Sequence, residues 1–325
     1  MRLTTALLGL AAFCLAAAAG AQDAGQPARA PAQTPAPAQR GLFGLENTVS
    51  QLQDNPAPPA EAPAATPAPA PAHPHRIVPR EQQAEEDHAH IEAAVQRGRL
   101  LGAIAQAGQI GTQDMLAHVS DPNSAGISGW IAVPDANAVN VVFYAAAANG
   151  APPTAVYRVS IVGGRVTERH TFLTGTRPPL GPHEARMAAA RAATDALDHH
   201  PCGGDEFNVF VVPPAAPDAP IDVYQLSPQT QRGHFPLGGH FKSTIARDGS
   251  VVASTALAAT CGDLAVPDAA GAQAAPLRIN DAADPLPTEL HVFMAMWTNR
   301  PLIVAAGESR RLFGVTSEEI RPVHE

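Results

Sequence analysis

The sequence has little lysine, few aromatic residues and few cysteines. Acidic residues outnumber basic ones, which argues against nucleic acids and anionic membranes as partners. Only one of its 21 basic residues is a lysine, Lys242, and 30 acidic residues leave a net charge of −9. Nucleic acids and anionic membrane surfaces bind basic patches, so neither is expected as the main partner. Aromatic residues make up 5% of the chain, and alanine supplies much of its 45% hydrophobic content.

Catalytic fingerprints are missing as well. The sequence contains no HExxH, CxxC, Walker loop or GxGxxG motif. The segment Gly126-Ile127-Ser128-Gly129 is one residue short of GxSxG, and the tryptophan that follows favours a turn rather than a nucleophile. No motif therefore names a reaction.

Residues 1–21 have the pattern of a secretory signal peptide. Arg2 supplies the positive charge, 6–18 the apolar core, and Ala19-Gly20-Ala21 the small-residue cleavage site. The alternative, an uncleaved membrane anchor, needs about 20 apolar residues, and this core is shorter. We therefore expect a periplasmic or secreted protein that is not integral to the membrane after cleavage.

Residues 22–80 have the composition of a disordered linker. They contain 13 of the 33 prolines, mostly in Ala-Pro repeats, and too little apolar surface to offset the entropy of ordering. An island at 41–53 interrupts them with apolar residues at helical spacing. It predicts either a short helix that docks on a partner or a transient helix without one. Its apolar residues are Leu42, Phe43, Leu45, Val49 and Leu52.

The remaining residues, 81–325, predict one α+β domain with a mostly antiparallel sheet and two main helices. One helix begins at Glu81, with Gly108 past its end and a shorter piece near 112–119, and the second runs from Pro182 to about His199. Strands are expected wherever apolar residues alternate between turn signals such as Gly163-Gly164 and Asp248-Gly249. Their ranges are 130–133, 139–145, 154–162, 165–172, 207–212, 221–226, 239–246, 250–257, 301–306 and 311–315.

The segment Glu289–Trp297 is apolar on both faces, which predicts a central strand covered on both sides. Residues 262–288, rich in Ala, Asp and Pro, are expected to form a loop. If Cys14 leaves with the signal peptide, Cys202 and Cys261 remain as an even pair in an oxidising compartment, which predicts a disulfide.

Thirteen histidines in an exported chain suggest a metal site, although most have simpler explanations. His88 and His90 are two residues apart and do not share a helical face. His199 and His200 lie at the predicted end of a helix, where the dipole favours histidine.

Four residues form the candidate metal site. Glu289 and His291 would share one face of the predicted strand, and His240 follows two glycines that leave room for an ion. Two imidazoles and a carboxylate suit zinc with an open position, with His234 as a fourth candidate. Because the spacing matches no short zinc motif, the expectation is no cofactor, with zinc as the alternative.

Two functions from different classes follow. The first is a non-catalytic envelope protein that binds a ligand or partner through its sheet, with the linker setting its reach. The second is a metal-dependent hydrolase that uses the His/Glu set. The long linker and the missing catalytic motifs favour the first, and the partner is expected to be an envelope protein or a small ligand.

Overall fold

A computed structural model describes residues 80–147, 151–204, 206–258, 260–266 and 275–323. The predicted signal peptide, the island at 41–53 and all of the predicted linker except Arg80 lie outside the described residues. Within the described part, three helices and four mostly antiparallel sheets form a mixed α+β structure, as the sequence predicts at this level. None of these three helices is both long enough and apolar enough to span a membrane.

The first helix, α1 (Arg80–His118), is longer than its sequence predicts. Gly108 does not end it, and the separate helix expected near 112–119 is its continuation. The glycine serves close packing instead, because a Cβ at this position would overlap the ring of Trp130. The second helix, α2 (Pro182–Thr194), begins at the predicted proline and ends before His199.

The third helix, α3 (Glu289–Thr298), corrects the strand predicted over Glu289–Trp297. An apolar run without periodicity does not distinguish a buried strand from a buried helix, and most of this helix is buried on every side. Its ends have helical signals that the prediction did not use. The main-chain N–H of Thr288 donates to His291 Nδ1 at 3.1 Å, and Asn299 ends the helix in the left-handed region with φ of 51°.

The first sheet is a four-stranded antiparallel meander in the order β1-β2-β3-β4. The sequence predicts these strands to within one residue, because Gly163 and Gly164 form the tight turn between β3 and β4 with positive φ. The strands are β1 (Gly129–Pro134), β2 (Val139–Ala145), β3 (Thr154–Val162) and β4 (Arg165–Thr171).

The second sheet, in the order β5-β6-β8-β9, is also antiparallel and is the one bounded by the two cysteines. Cys202 and Cys261 are joined by a disulfide with their Cα atoms 5.5 Å apart. The strands are β5 (Asn208–Val212), β6 (Ile221–Leu226), β8 (His240–Ile245) and β9 (Val251–Ala258), and beside them β7 (His234–Pro236) pairs with β10 (Asp263–Ala265).

The third sheet, in the order β11-β12-β13-β14, corrects the loop predicted over 262–288, which contains β10 and β11. Its first two strands are parallel, with α3 connecting them, and the others are antiparallel. The strands are β11 (Leu277–Asp281), β12 (Leu302–Ala306), β13 (Arg311–Val315) and β14 (Ile320–Pro322).

The second sheet is buried on both faces near β5 and β6. Phe210 and Tyr224 point into a core shared with α1 and α3, whereas Val209, Val211 and Val223 point into a second core under α2. Alternate residues of a strand face opposite sides, so an almost continuous apolar run serves both layers. This burial ends at β9, where residues 251–256 are exposed.

Candidate functional site

The predicted metal ligand His240 is buried and already hydrogen-bonded at both ring nitrogens. Its Nδ1 accepts from the main-chain N–H of Ser227 at 3.1 Å, and its Nε2 donates to the carbonyl of Pro236 at 3.0 Å. This arrangement selects the neutral tautomer with hydrogen on Nε2. Burial lowers the pKa of His240, although the bond to Pro236 acts in the opposite direction. The imidazole holds the β6–β8 connection in place.

Glu289 and His291 occupy α3 rather than a strand, so the argument for their convergence fails. Residues two apart on a helix point in different directions. His291 is buried, with its Nε2 3.5 Å from Asp281 Oδ2, and burial lowers its pKa although Asp281 and Glu289 act in the opposite direction. Glu289 instead points to β6 and β8.

His234, the fourth candidate ligand, pairs with another residue as well. Its Nδ1 lies 2.5 Å from Asp263 Oδ2, and both residues line an open groove of about 370 Å³ beside the disulfide. In the described ranges, no three His, Cys, Asp or Glu side chains are grouped so that they could hold a metal ion. The four candidates thus have four separate environments, and zinc analysis of the purified protein remains the direct test of that prediction.

Lys242, the only lysine, lies in a partly buried ionic network on the α3 side of the second sheet. Its Nζ donates to Glu289 Oε1 at 3.0 Å and lies 3.7 Å from Asp222 Oδ2. The hydroxyl of Tyr224 donates to the same Glu289 oxygen at 2.8 Å, and Arg97 of α1 pairs with Asp222 at 3.2 Å. The network joins α1 and α3 to β6 and β8.

The protonation states in this network follow from the pairing. Burial alone would raise the pKa of Glu289, but Lys242 and the hydrogen bond from Tyr224 outweigh it and lower the pKa below its ordinary value. Burial and the nearby Glu289 carboxylate raise the pKa of the Tyr224 hydroxyl, which stays protonated. Both donors bind Glu289 Oε1, so this carboxylate is held in place and is costly to remove because Lys242 would lose its nearest partner.

A partly open apolar cavity of about 50 Å³ lies between α3 and the second sheet. Its walls include Phe210, Leu226, Phe293 and Trp297, and His240 contributes a polar edge. Ligand pockets for small molecules are roughly 300 Å³ or larger. A small-molecule ligand therefore does not fit this cavity without movement of its walls.

The outer edge of β9 is the most unusual surface of the second sheet. Within the described residues, β9 pairs with β8 on one side and with no strand on the other. Its sequence, VVASTALA, contains no charge and no proline, and the side chain of Val252 is 64% exposed. We call the unpaired side of Val251–Ala258 the β9 edge. Two register shifts in its ladder with β8 leave Val252 and Leu257 without a partner residue on β8.

Comparison with known proteins yields no significant match: no family model, no curated protein and no solved structure matches this chain. Function must therefore be argued from the residues.

Two features of this sheet, the β9 edge and the network around Lys242, were not predicted from the sequence. The hairpin containing β9 was predicted, but which strand lies outermost depends on pairing between distant segments. The composition did indicate that Lys242 is unusual, because it is the one lysine among 21 basic residues. A compact ammonium between two carboxylates is chemically different from a planar guanidinium, which explains a lysine at this position.

Proposed function

We propose that this chain is an exported envelope protein whose folded part binds an extended segment of a partner protein by adding it as a strand to the β9 edge. The observation that carries the proposal is an exposed, eight-residue, uncharged edge strand. Natural proteins usually protect such edges with charges, prolines, bulges or coverage. The described β9 has bulges at Val252 and Leu257 but no charge and no proline, and this supports strand addition, in which main-chain hydrogen bonds supply the affinity.

The chemistry of the edge defines the partner segment. Valine, threonine and small residues on β9 suit an uncharged, extended segment with β-branched side chains, since such pairs stabilise neighbouring strands. Two copies of this chain would each bring a net charge of −9, and this repulsion disfavours self-association through an uncharged edge. A neutral or basic partner protein is the occupant that charge favours.

The predicted N-terminal segments would determine where the folded domain is located and how far it can move. The predicted signal peptide at 1–21 would direct export, and the predicted linker at 22–80 would let the domain search for its partner. The disulfide between Cys202 and Cys261 is compatible with an oxidising compartment.

The test begins with selection of binders from a displayed random-peptide library on the purified protein. Hydrogen exchange is then measured on complexes of the protein with the selected peptides. We expect uncharged sequences that slow amide exchange in β9. Val252→Lys places a charge on the β9 edge and should weaken peptide binding at least tenfold, with the melting temperature unchanged. Thr167→Lys, at an exposed position of β4 in the first sheet, is the matched control and should not affect binding.

Two outcomes would overturn the proposal. One is selected peptides whose protection maps away from β9, and the other is binding that Val252→Lys leaves intact. Sedimentation analysis of the peptide-free protein tests the self-association alternative. A dimer that Val252→Lys dissociates would replace the partner protein with a second copy of this chain.

A further inference from the structure

A serine, a histidine and a glutamine form a hydrogen-bonded series on the α2 face of the second sheet, and neither the partner-binding proposal nor the metal prediction uses it. Ser254 of β9 has its Oγ 2.9 Å from His199 Nε2. The other ring nitrogen of His199, Nδ1, lies 2.7 Å from Gln225 Oε1 of β6. Exposure falls along the series, since Ser254 is exposed, His199 is half-buried and Gln225 is buried.

The direction of these bonds can be worked out from the innermost residue. The Gln225 amide group is oriented by its Nε2, which donates to the carbonyl of Thr194 at 3.5 Å. Its oxygen therefore faces His199, and because an amide oxygen only accepts, His199 Nδ1 must carry the hydrogen. The lone pair on His199 Nε2 then accepts the proton of the Ser254 hydroxyl. This is the tautomer that a general base for serine requires.

The imidazole of His199 is also held in a fixed plane. Its ring stacks on Phe241 with the centroids 3.9 Å apart and the planes 6° from parallel. The ring of Phe207 contacts Phe241 edge-on at 5.9 Å and supports it. A base whose position is fixed before substrate arrives loses little entropy in the reaction.

A second serine, Ser243, lies within hydrogen-bond distance of Ser254. Ser243 Oγ of β8 is fully buried and lies 3.2 Å from Ser254 Oγ. Since Ser254 gives its own proton to His199, Ser243 is the donor in this contact, and its hydroxyl stabilises negative charge on Ser254 Oγ.

We propose that Ser254 is a nucleophile for acyl transfer, with His199 as its general base and Gln225 as the residue that positions His199, and that the substrates are carboxylic esters. Ser254 Oγ attacks the ester carbonyl while its proton passes to His199 Nε2. The bond to the alcohol then breaks, His199 protonates the departing alcohol, and the acyl group stays on Ser254. Water, deprotonated by His199, releases the carboxylic acid and restores the serine.

The experiment combines covalent labelling with hydrolysis of p-nitrophenyl butyrate. A fluorophosphonate probe should add one equivalent to the folded protein, and peptide mass spectrometry should place it on Ser254. Ser254→Ala and His199→Ala should each lose the label and lower kcat/KM roughly hundredfold or more. The matched controls are Ser250→Ala, on the same hairpin but bonded to Asp248, and His200→Ala, adjacent in sequence but paired with Asp198; both should keep the activity.

Gln225 requires a readout that a purely structural role would not change. Gln225→Leu removes the acceptor and should lower kcat/KM, whereas Gln225→Glu restores an acceptor and should recover activity. The added carboxylate should also move the lower limb of the pH profile to higher pH, because a negative charge next to an imidazole favours its protonated form. No label on Ser254 in folded wild-type protein, or equal hydrolysis by wild type and Ser254→Ala, would overturn the proposal. Neither result depends on peptide binding at the β9 edge.

Discussion

Strands β4 and β9 are edge strands of the first and second sheets, and their exposed surfaces differ in charge. Strand β4 carries Arg165, Glu168, Arg169 and His170 on an exposed surface. Strand β9 is one residue longer and carries no charge. Charges on an edge discourage a further strand because pairing would desolvate them. The contrast indicates that an exposed edge is tolerated in this fold, and that of these two edges only β9 lacks charged side chains.

The two edges also differ in how they are attached to the rest of the fold. On β4, Arg169 makes two hydrogen bonds to Asp114 of α1, at 2.9 and 3.0 Å, and the hydroxyl of Tyr157 donates to the same carboxylate. Helix α1 therefore anchors that edge by an ion pair. On β9, the side-chain bond that comes from outside the sheet is the uncharged one between Ser254 and His199. Stability near β9 must come from β8 and from the disulfide.

Removal of the disulfide should have the largest effect and should be unequal between the two sheets. Closing a loop of this length stabilises by about 4 kcal/mol in the chain-entropy model. We expect Cys202→Ala with Cys261→Ala to lower the free energy of unfolding by about that amount. Hydrogen exchange should quicken in β5–β9 and change little in β1–β4, which contains no cysteine. Equal acceleration in both sheets would show that they open as one unit.

Loss of Glu289 should have the next largest effect, because it leaves Lys242 without its nearest carboxylate in a partly buried position. Breaking a buried pair costs about 3 kcal/mol, so Glu289→Ala should lower the denaturation midpoint markedly. The exposed Glu308→Ala is the control and should change the free energy of unfolding by less than about 0.5 kcal/mol. Similar midpoints for both variants would contradict the role assigned to the network.

Glu289 should also make the stability of the protein depend on pH. Because the folded-state pKa of Glu289 is below its unfolded value, its contribution is complete above the unfolded value of about 4.3 and is lost as pH falls through the folded pKa. Stability of the wild type should therefore fall more steeply on acidification than stability of Glu289→Gln. Parallel curves below about pH 4.3 would contradict the sign of the shift.

Removing two of the charges of β4 should have the smallest effect on stability and should reduce the contrast between the edges. Arg165→Thr with Glu168→Thr leaves the net charge unchanged, and both side chains are exposed. The free energy of unfolding should change by less than about 0.5 kcal/mol. In a Val252→Lys background, the double variant should regain binding of uncharged peptides, with amide protection now in β4. Continued absence of binding would mean that shape, rather than charge, closes this edge.

Local patterns predicted ten of the strands and did not predict β7, β10, β11 and β14, and nonlocal contacts explain the other errors. Strand β6 was predicted to the residue because its apolar run is bounded by turn signals. Helix α3 was mistaken for a strand because every face of it is buried, which removes the periodicity that separates the two. The sequence predicts a helix end at Gly108, but the glycine lies inside α1, where a larger residue would overlap the ring of Trp130.

The candidate sites were less predictable than the fold for the same reason. Ser254 and His199 lie far apart in sequence and belong to no short motif, so only strand pairing reveals their contact. The metal hypothesis placed Glu289 and His291 on one face of a strand, and it lost this basis when the segment proved helical. The cysteine pair was predicted because, after the signal peptide, counting alone leaves one pairing.

The glycines of α1 have a consequence for the order in which the protein folds. Gly98 and Gly102 let α3 approach so closely that side chains there would collide with Val292 and Met296. Each glycine costs a helix about 1 kcal/mol relative to alanine, so α1 alone is a poor helix. Its docking partner, α3, begins at Glu289, long after α1 ends at His118. Contacts between segments so distant in sequence favour slow folding and a long period of dependence on chaperones.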